Sequence, residues 1–395
     1  MGAGLTGLIT AELLKGFDPI IIEKCKKTGG MSKSFYKDDY IFDYGGHYLH
    51  FDNKEQLEFF TNFASDIIEK ERLSYIKIEN QLVPYPIQIF FTKIFSEYKE
   101  KVNTELNNLK PDYSNYFNYL RSSFGETLFN KFFYPYNTKF WKTDLKEMDI
   151  EWTEKLVPKV NPDIIENPPD KIGYNYKLYY PTKGISEISD NLAKDKNIYL
   201  NETVENIDAI NKIIHTDKDS YRYEFIISTI PITELLLKID MMKFNLDFLS
   251  VKILNLGIKG DYKKDFSWIY LPENNTPFFR FGKYMIPDKA DKFSLYFETS
   301  YKNEILSDDI LLKEANKLMN NFNIIGEIEA QMFLDIKHAY PILKVKEKGY
   351  IPIIFQQLHI KDIFPAGRMG SWKYISMNDS YEEAKRIKTI IENRI

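Results

Sequence analysis

One cysteine, Cys25, stands in 395 residues, so no internal disulfide framework exists, and this usage fits a reducing compartment. Long apolar runs are also missing. The stretch 87–95 is broken by Gln88, Thr92 and Lys93, well short of the roughly 18 uninterrupted apolar residues that a membrane span needs. No basic-then-apolar leader opens the chain, and a soluble, cytoplasmic protein is the expectation. An excess of basic charge is absent too: 53 Lys and Arg face 57 Asp and Glu, a formal net charge of −4, which argues against a nucleic-acid surface. The 28 tyrosines accompany many Lys, Asn and Ile residues and are attributed to genome composition, not to binding.

What is present begins at once. Gly2, Gly4 and Gly7 form a G-x-G-x-x-G turn that runs into a helical stretch, 9–14, and then an apolar strand, 19–23. Gly2 permits a tight turn, Gly4 lets backbone N–H groups approach a pyrophosphate, Gly7 lets the helix pack on the sheet, and the helix N-terminus adds partial positive charge. Glu23 falls about twenty residues on, where a carboxylate can hold a ribose hydroxyl. Only Met1 precedes the turn, and a fold of this kind needs a first strand. A misassigned or clipped start is expected, with a sheet lacking its central strand as the alternative.

The length allows roughly two or three domains. A second glycine turn, Thr28-Gly29-Gly30-Met31-Ser32, is followed by Tyr40 to Phe42 and then Asp43-Tyr44-Gly45-Gly46-His47. From 54 to about 130 apolar residues recur at three and four spacing (Leu57, Phe60, Phe63, Ile67), predicting a helical subdomain interrupted by Pro84 and Pro86. A proline-rich loop is expected over 155–170, a strand over 174–180 and a helix over 186–192. A short αβ section spans 198–231. Between 251 and about 340 strands with intervening turns predict an antiparallel sheet with one helix near 311–322. The tail predicts strand, glycine turn and helix, with Asp379 or Ser380 as the cap. The fold class is therefore α/β: a discontinuous Rossmann-like domain (1–52, 185–240, 345–395), an inserted helical subdomain (53–135) and an antiparallel-sheet substrate domain (136–184, 241–344).

Taken with Pro135-Tyr136-Asn137-Thr138-Lys139-Phe140-Trp141, Tyr180-Pro181, Ser228-Thr229-Ile230-Pro231 and Gly367-Arg368-Met369-Gly370-Ser371-Trp372-Lys373-Tyr374, these pieces resemble the FAD-dependent amine-oxidase superfamily. Within it, the chain is similar to the UDP-galactopyranose mutase and protoporphyrinogen-oxidase-like branches. The resemblance covers nearly the whole chain and implies FAD as cofactor. It places Gly2, Gly4, Leu5, Thr6, Gly7, Glu23 and Lys24 on the ADP half and Val204 near the adenine. Gly30, Met31, Ser32, Gly46, His47, Gly367, Arg368 and Met377 complete the cofactor set. His50 takes the role of the histidine beside the flavin. His47 and His50 have no Cys or acidic cluster to complete a metal site, and no metal is expected.

The same resemblance puts Phe132, Tyr136 and Trp141 in a uridine and sugar pocket, with Gln88, Lys155 and Tyr174 as further substrate contacts. Arg280 and Arg368 fall at diphosphate arginines, a task that suits guanidinium because it stays charged and grips phosphate bidentately. Tyr340 and Tyr374 match phosphate-contacting tyrosines. Three positions depart from the mutases: Lys155 replaces an arginine and loses its fork geometry, Ser376 replaces an aspartate, and Gln88 stands for an asparagine. Trp152 and the 372–374 string look closer to oxidase-like relatives found beside polysaccharide genes. The resemblance implies a pyranose–furanose ring contraction of a nucleotide sugar with reduced flavin N5 as nucleophile, or else an FAD-dependent oxidoreductase. Small-molecule substrates are the expected partners, with a homodimer allowed.

Overall fold

The computed structural model describes residues 1–153, 157, 175–241, 244, 246–286 and 291–394. Helix α1 (Leu5–Leu13) leads to β1 (Ile20–Glu23), the hairpin β2 (Ser34–Lys37) and β3 (Tyr40–Asp43), and α2 (Lys54–Thr61). Three strands follow, β4 (Ile67–Glu71), β5 (Ser74–Ile78) and β6 (Gln81–Pro84). A helical run comes next: α3 (Ile87–Ile94), α4 (Lys99–Asn107), α5 (Tyr116–Leu128), a π turn over Phe129–Phe133, and α6 (Tyr134–Trp141). Then β7 (Lys177–Pro181) and α7 (Ser186–Ala193) return the chain to β8 (Asn197–Leu200). Beyond it lie β9 (Val204–Asp208), β10 (Ile213–Thr216), β11 (Ser220–Arg222), β12 (Ile226–Ser228) and α8 (Ile232–Lys238). The long strands are β13 (Phe248–Tyr262), β14 (Trp268–Tyr270), β15 (Arg280–Lys283) and β16 (Lys292–Tyr301), then α9 (Asp308–Asn321) and β17 (Ile324–Pro341). The chain closes with α10 (Tyr350–Ile360), β18 (Ile363–Pro365), α11 (Gly367–Gly370) and α12 (Asp379–Glu392).

The Rossmann-like layer is assembled from distant segments. Strand β1 pairs in parallel with β8, and β12 in parallel with β18. The main chain of Met1 and Gly2 lies between these pairs. The Met1 ammonium donates to Ile227 O at 2.7 Å, Thr229 N–H donates to Met1 O at 3.0 Å, and Gly2 N–H donates to Ile22 O at 2.9 Å. Parallel strands of this kind are buried on both faces, which accounts for Ile21 and Ile22 of β1, while Ile20 at its start is exposed. Helix α1 covers the layer with Leu5, Leu8, Ile9 and Ala11 and packs against α12.

The substrate-side layer, among the described residues, is a seven-stranded sheet in the order β17-β13-β16-β15-β14-β5-β6. It departs from the expectation twice. The expected helical stretch 53–135 contributes β4, β5 and β6, because the helical spacing stops where α2 ends at Thr61 and the burial of Ser74 to Ile78 alternates with period two. Phe63 and Ile67 lie beyond that helix. And the sheet is mixed, not antiparallel throughout, since β14 pairs in parallel with β5. A smaller correction concerns the last helix: its N-cap is Asn378, without a side-chain cap bond, while Asp379 Oδ2 accepts from Ser376 N–H at 2.8 Å. The expected proline-rich loop lies almost entirely outside the described residues.

Candidate functional site

The two glycine turns meet face to face. Gly29 N–H donates to Ala3 O at 2.8 Å, and a Cβ on Gly30, whose φ is +59°, would sit 3.0 Å from Gly4 Cα. A Cβ on Gly7 would stand 2.1 Å from Gly2 O, so only glycine lets α1 approach this closely. Thr6 Oγ1, in the first turn of α1, donates to Ser380 Oγ at 3.0 Å, bringing the start of α12 to the same place. Gly367, with φ +77°, packs on Thr6, and Ser32 Oγ lies 3.6 Å from Met377 Sδ. A bare main-chain cradle with two converging helix N-termini suits a pyrophosphate. Glu23 is buried and braces the turn: Oε2 accepts from Ala3 N–H at 2.7 Å and Oε1 from Cys25 N–H at 2.8 Å. Leu5 is a core residue. Val204 packs in the cluster that contains Ile22, and exposed Lys24 lies 4.0 Å from Glu234.

Beside the cradle opens a cavity of about 280 Å³. Met31, Gly46, His47, His50, Arg368 and Met377 line its cradle side, and Phe132, Tyr136 and Trp141 its far wall. The far wall is built by the π turn and α6. There the four-residue step stacks Phe132 on Tyr136 at 5.2 Å and Tyr136 on Phe140 at 6.2 Å. Tyr340 from β17 and Tyr374 stack at 5.2 Å and 12°, Trp152 continues the column on Tyr374 at 5.3 Å, and the Arg368 guanidinium caps it 4.8 Å from the Tyr340 ring centre.

The charges are partly committed. Arg280 and Glu298 are opposite residues on β15 and β16, and Arg280 donates through Nε and, at 2.9 Å, through Nη2 to the two carboxylate oxygens. Burial opposes the Arg280 charge, but the Glu298 carboxylate holds it protonated. Arg368 donates from Nε to Ile375 O at 2.9 Å and from Nη1 to Ala339 O at 3.2 Å. Among the described residues no partner meets Nη1 of Arg280 or Nη2 of Arg368, so each guanidinium can turn one terminal nitrogen to a ligand. That revises the expected two-pronged grip. Burial first, and then Arg368 and Arg280, lower the His47 imidazole to about 3, so it is neutral at working pH. Burial raises the Tyr136 and Tyr374 phenols, which stay protonated donors.

Two expected contacts, Lys155 and Tyr174, lie outside the described residues. Gln88 is not a cavity residue: it is buried on α3, whose inward side also carries Ile87 and Phe91. Glu298, Tyr270 and Trp152 line the cavity without having been expected there. Only the register of β15 against β16 reveals Glu298, and no local pattern marks it. Among the described residues no group of three or more His, Cys, Asp or Glu could hold a metal, and no helix is long and apolar enough to cross a membrane.

Residues 1–63 match the family of NAD(P)-binding Rossmann-like domains. Across its whole length the chain superposes on reduced UDP-galactopyranose mutase, with a TM-score of 0.91 and 22% identity over 93% of that protein. A protein assigned as a protoporphyrinogen oxidase from Exiguobacterium matches 100% of this chain and 98% of its own at a TM-score of 0.78 and 14% identity. A double mutant of putrescine oxidase matches 99% and 98% at 0.68 and 12%. The nucleotide-binding start, the mixed sheet behind the cavity and these superpositions agree: the chain opens on a Rossmann-like domain and shares the fold of reduced UDP-galactopyranose mutase and of these oxidases.

Proposed function

We propose that the chain is an FAD-dependent mutase acting on a nucleotide sugar. The observation that carries this reading is the meeting, in one cavity, of Arg280, Arg368, Tyr340 and Tyr374 with the aromatic wall of Phe132, Tyr136 and Trp141. Gly4, Gly30 and the first turn of α1 would hold the cofactor pyrophosphate, Glu23 would face a ribose, and Gly46, His47 and Gly367 would border the ring system. Bound and reduced, the cofactor supplies the nucleophile, flavin N5, that a ring contraction needs. Arg280 Nη1 and Arg368 Nη2 place positive charge where a diphosphate leaves, and the Tyr340 and Tyr374 hydroxyls donate to its oxygens. Neutral His47 adds no competing cation. Stacked Phe132 and Tyr136 offer a flat face to a base and exclude water.

The test is anaerobic incubation of FAD-loaded protein, with and without dithionite, with UDP-galactopyranose and UDP-galactofuranose, followed by chromatography. Interconversion in the reduced sample alone supports the mutase. Unchanged turnover in Arg280→Ala and Arg368→Ala would remove it. The Arg280–Glu298 pair favours a second reading: with the Arg280 charge balanced by Glu298, the cavity also suits a less charged substrate that gives a hydride to oxidised FAD. Peroxide formed with such a substrate supports that oxidoreductase.

A further inference from the structure

Asp43 ends β3 and opens the turn Tyr44-Gly45-Gly46-His47, which reaches the cavity. Its side chain is fully buried. Ser34 Oγ donates to Oδ1 at 2.6 Å and Tyr180 OH to Oδ2 at 2.5 Å. Ser34 Oγ in turn accepts from Ser186 N–H, at the start of α7, at 3.1 Å. The main chain is gripped as well: Asp43 N–H donates to Tyr284 OH at 3.1 Å, and Asp43 O accepts from Asn255 Nδ2 at 3.2 Å. Strands β2, β7 and β13 and the segment after β15 thus converge on the residue that launches the turn.

Among the described residues no cation pairs with this carboxyl, and burial pushes it up to about 7 against the pull of its two hydrogen bonds. The titratable groups that face it are Tyr180 from β7 and Tyr284 after β15, phenols kept neutral by burial and by Asp43 itself. Beyond Tyr284 lie Tyr296 and Glu298 of β16, the latter already paired with Arg280. Among the described residues no cation lies close enough to neutralise Asp43 once it ionises, so its charge is felt at long range in a low-dielectric interior.

We propose that Asp43 is a positioning residue that fixes the Gly45-Gly46-His47 turn, and that its unpaired charge tunes, with pH, how readily a flavin bound there is reduced. The proposal rests on the flavin reading above. An ionised Asp43 opposes negative charge on the reduced ring, whereas a protonated one does not.

The test is the midpoint potential of FAD-loaded wild type and Asp43→Asn between about pH 5.5 and about pH 8.5. The two are expected to coincide at the acid end and to diverge as pH passes 7, the variant lying higher. A pH-independent offset, or none, overturns the proposal. Tyr180→Phe removes a donor to the ionised form, so its divergence from Asp43→Asn must begin at higher pH than that of wild type; an unmoved profile counts against it. Should neither protein take up FAD, the flavin reading fails, and melting of the cofactor-free protein still decides on Asp43. There the unfolded carboxyl ionises from about pH 4 while the folded one stays protonated to about 7, so wild type must lose stability relative to Asp43→Asn across that interval. A gap constant with pH refutes the assignment.

Discussion

Arg280 and Glu298 face each other across β15 and β16, and the carboxylate takes two of the guanidinium nitrogens, Nε and Nη2. Both side chains are largely buried, so each is the other's principal counter-charge. Removing Glu298 leaves a buried cation without compensation, which costs about 3–5 kcal/mol in comparable pairs. Glu298→Ala is expected to lower the urea unfolding midpoint accordingly, with Glu298→Gln losing less because an acceptor oxygen remains. A loss under about 1 kcal/mol in the Ala variant would mean that the pair is solvated like a surface bridge.

Arg368 spends its donors differently, on Ile375 O and Ala339 O, and lies over the Tyr340 ring. Lysine keeps the charge but cannot hold two carbonyls and still present a planar nitrogen to the cavity. Arg368→Lys is therefore expected to weaken binding of UDP by about tenfold or more, roughly 1.4 kcal/mol, in a calorimetric titration. Less than a twofold change would remove Arg368 from anion recognition.

His47 gives a pH signature. Its imidazole is lowered to about 3, chiefly by burial and further by Arg368 and Arg280. In the unfolded chain it takes a proton below about pH 6.5, while in the folded chain it stays neutral until far lower, so stability falls as pH drops through that window and is unaffected above it. Histidine ring signals in NMR should keep the neutral shift for His47 down to about pH 5. A titration centred near 6.5 would show that the ring is solvated, and His47→Gln should melt with a shallower acid slope than wild type.

How much of this was legible in the sequence follows from the range of each interaction. The opening turn, β1, Glu23 and the Gly367 turn are local: a glycine's steric freedom and a run of isoleucines depend on neighbours within a few residues. The Rossmann-like start and the cradle could thus be anticipated. Strands β4 to β6 could not, because the spacing of Leu57, Phe60, Phe63 and Ile67 fits a helix and only pairing with β7 and β14 settles the matter. Arg280 was visible as a charge, but its partner depends on strand register. The same holds for Asp43, whose contacts come from Ser34, Tyr180, Asn255 and Tyr284. Gln88 was placed in the pocket only by the resemblance, as standing for an asparagine, and it is buried on α3.

The aromatic wall itself hangs on a capping contact between helices. Gly125, at φ +77° and ψ 163°, breaks α5, so the helix that resumes at Glu126 begins with unsatisfied N–H groups. Glu105 of α4 meets them: Oε2 accepts from Thr127 N–H at 2.8 Å and Oε1 from Thr127 Oγ1 at 2.9 Å, with the carboxylate at the positive end of the restarted helix. From there the π turn shifts the register that stacks Phe132 on Tyr136. Loss of such a cap costs about 1–2 kcal/mol, so Glu105→Ala should lower stability by that amount, with Glu105→Gln in between because it keeps one acceptor but not the charge. Gly125→Ala should be worse than either, since its Cβ would lie 2.9 Å from Glu105 Cβ at a backbone angle that alanine resists. Denaturant unfolding of the three variants ranks them. If Gly125→Ala proved the mildest, the kink would not be what sets the wall, and the stacking of Phe132 and Tyr136 would have to be credited to the π turn alone.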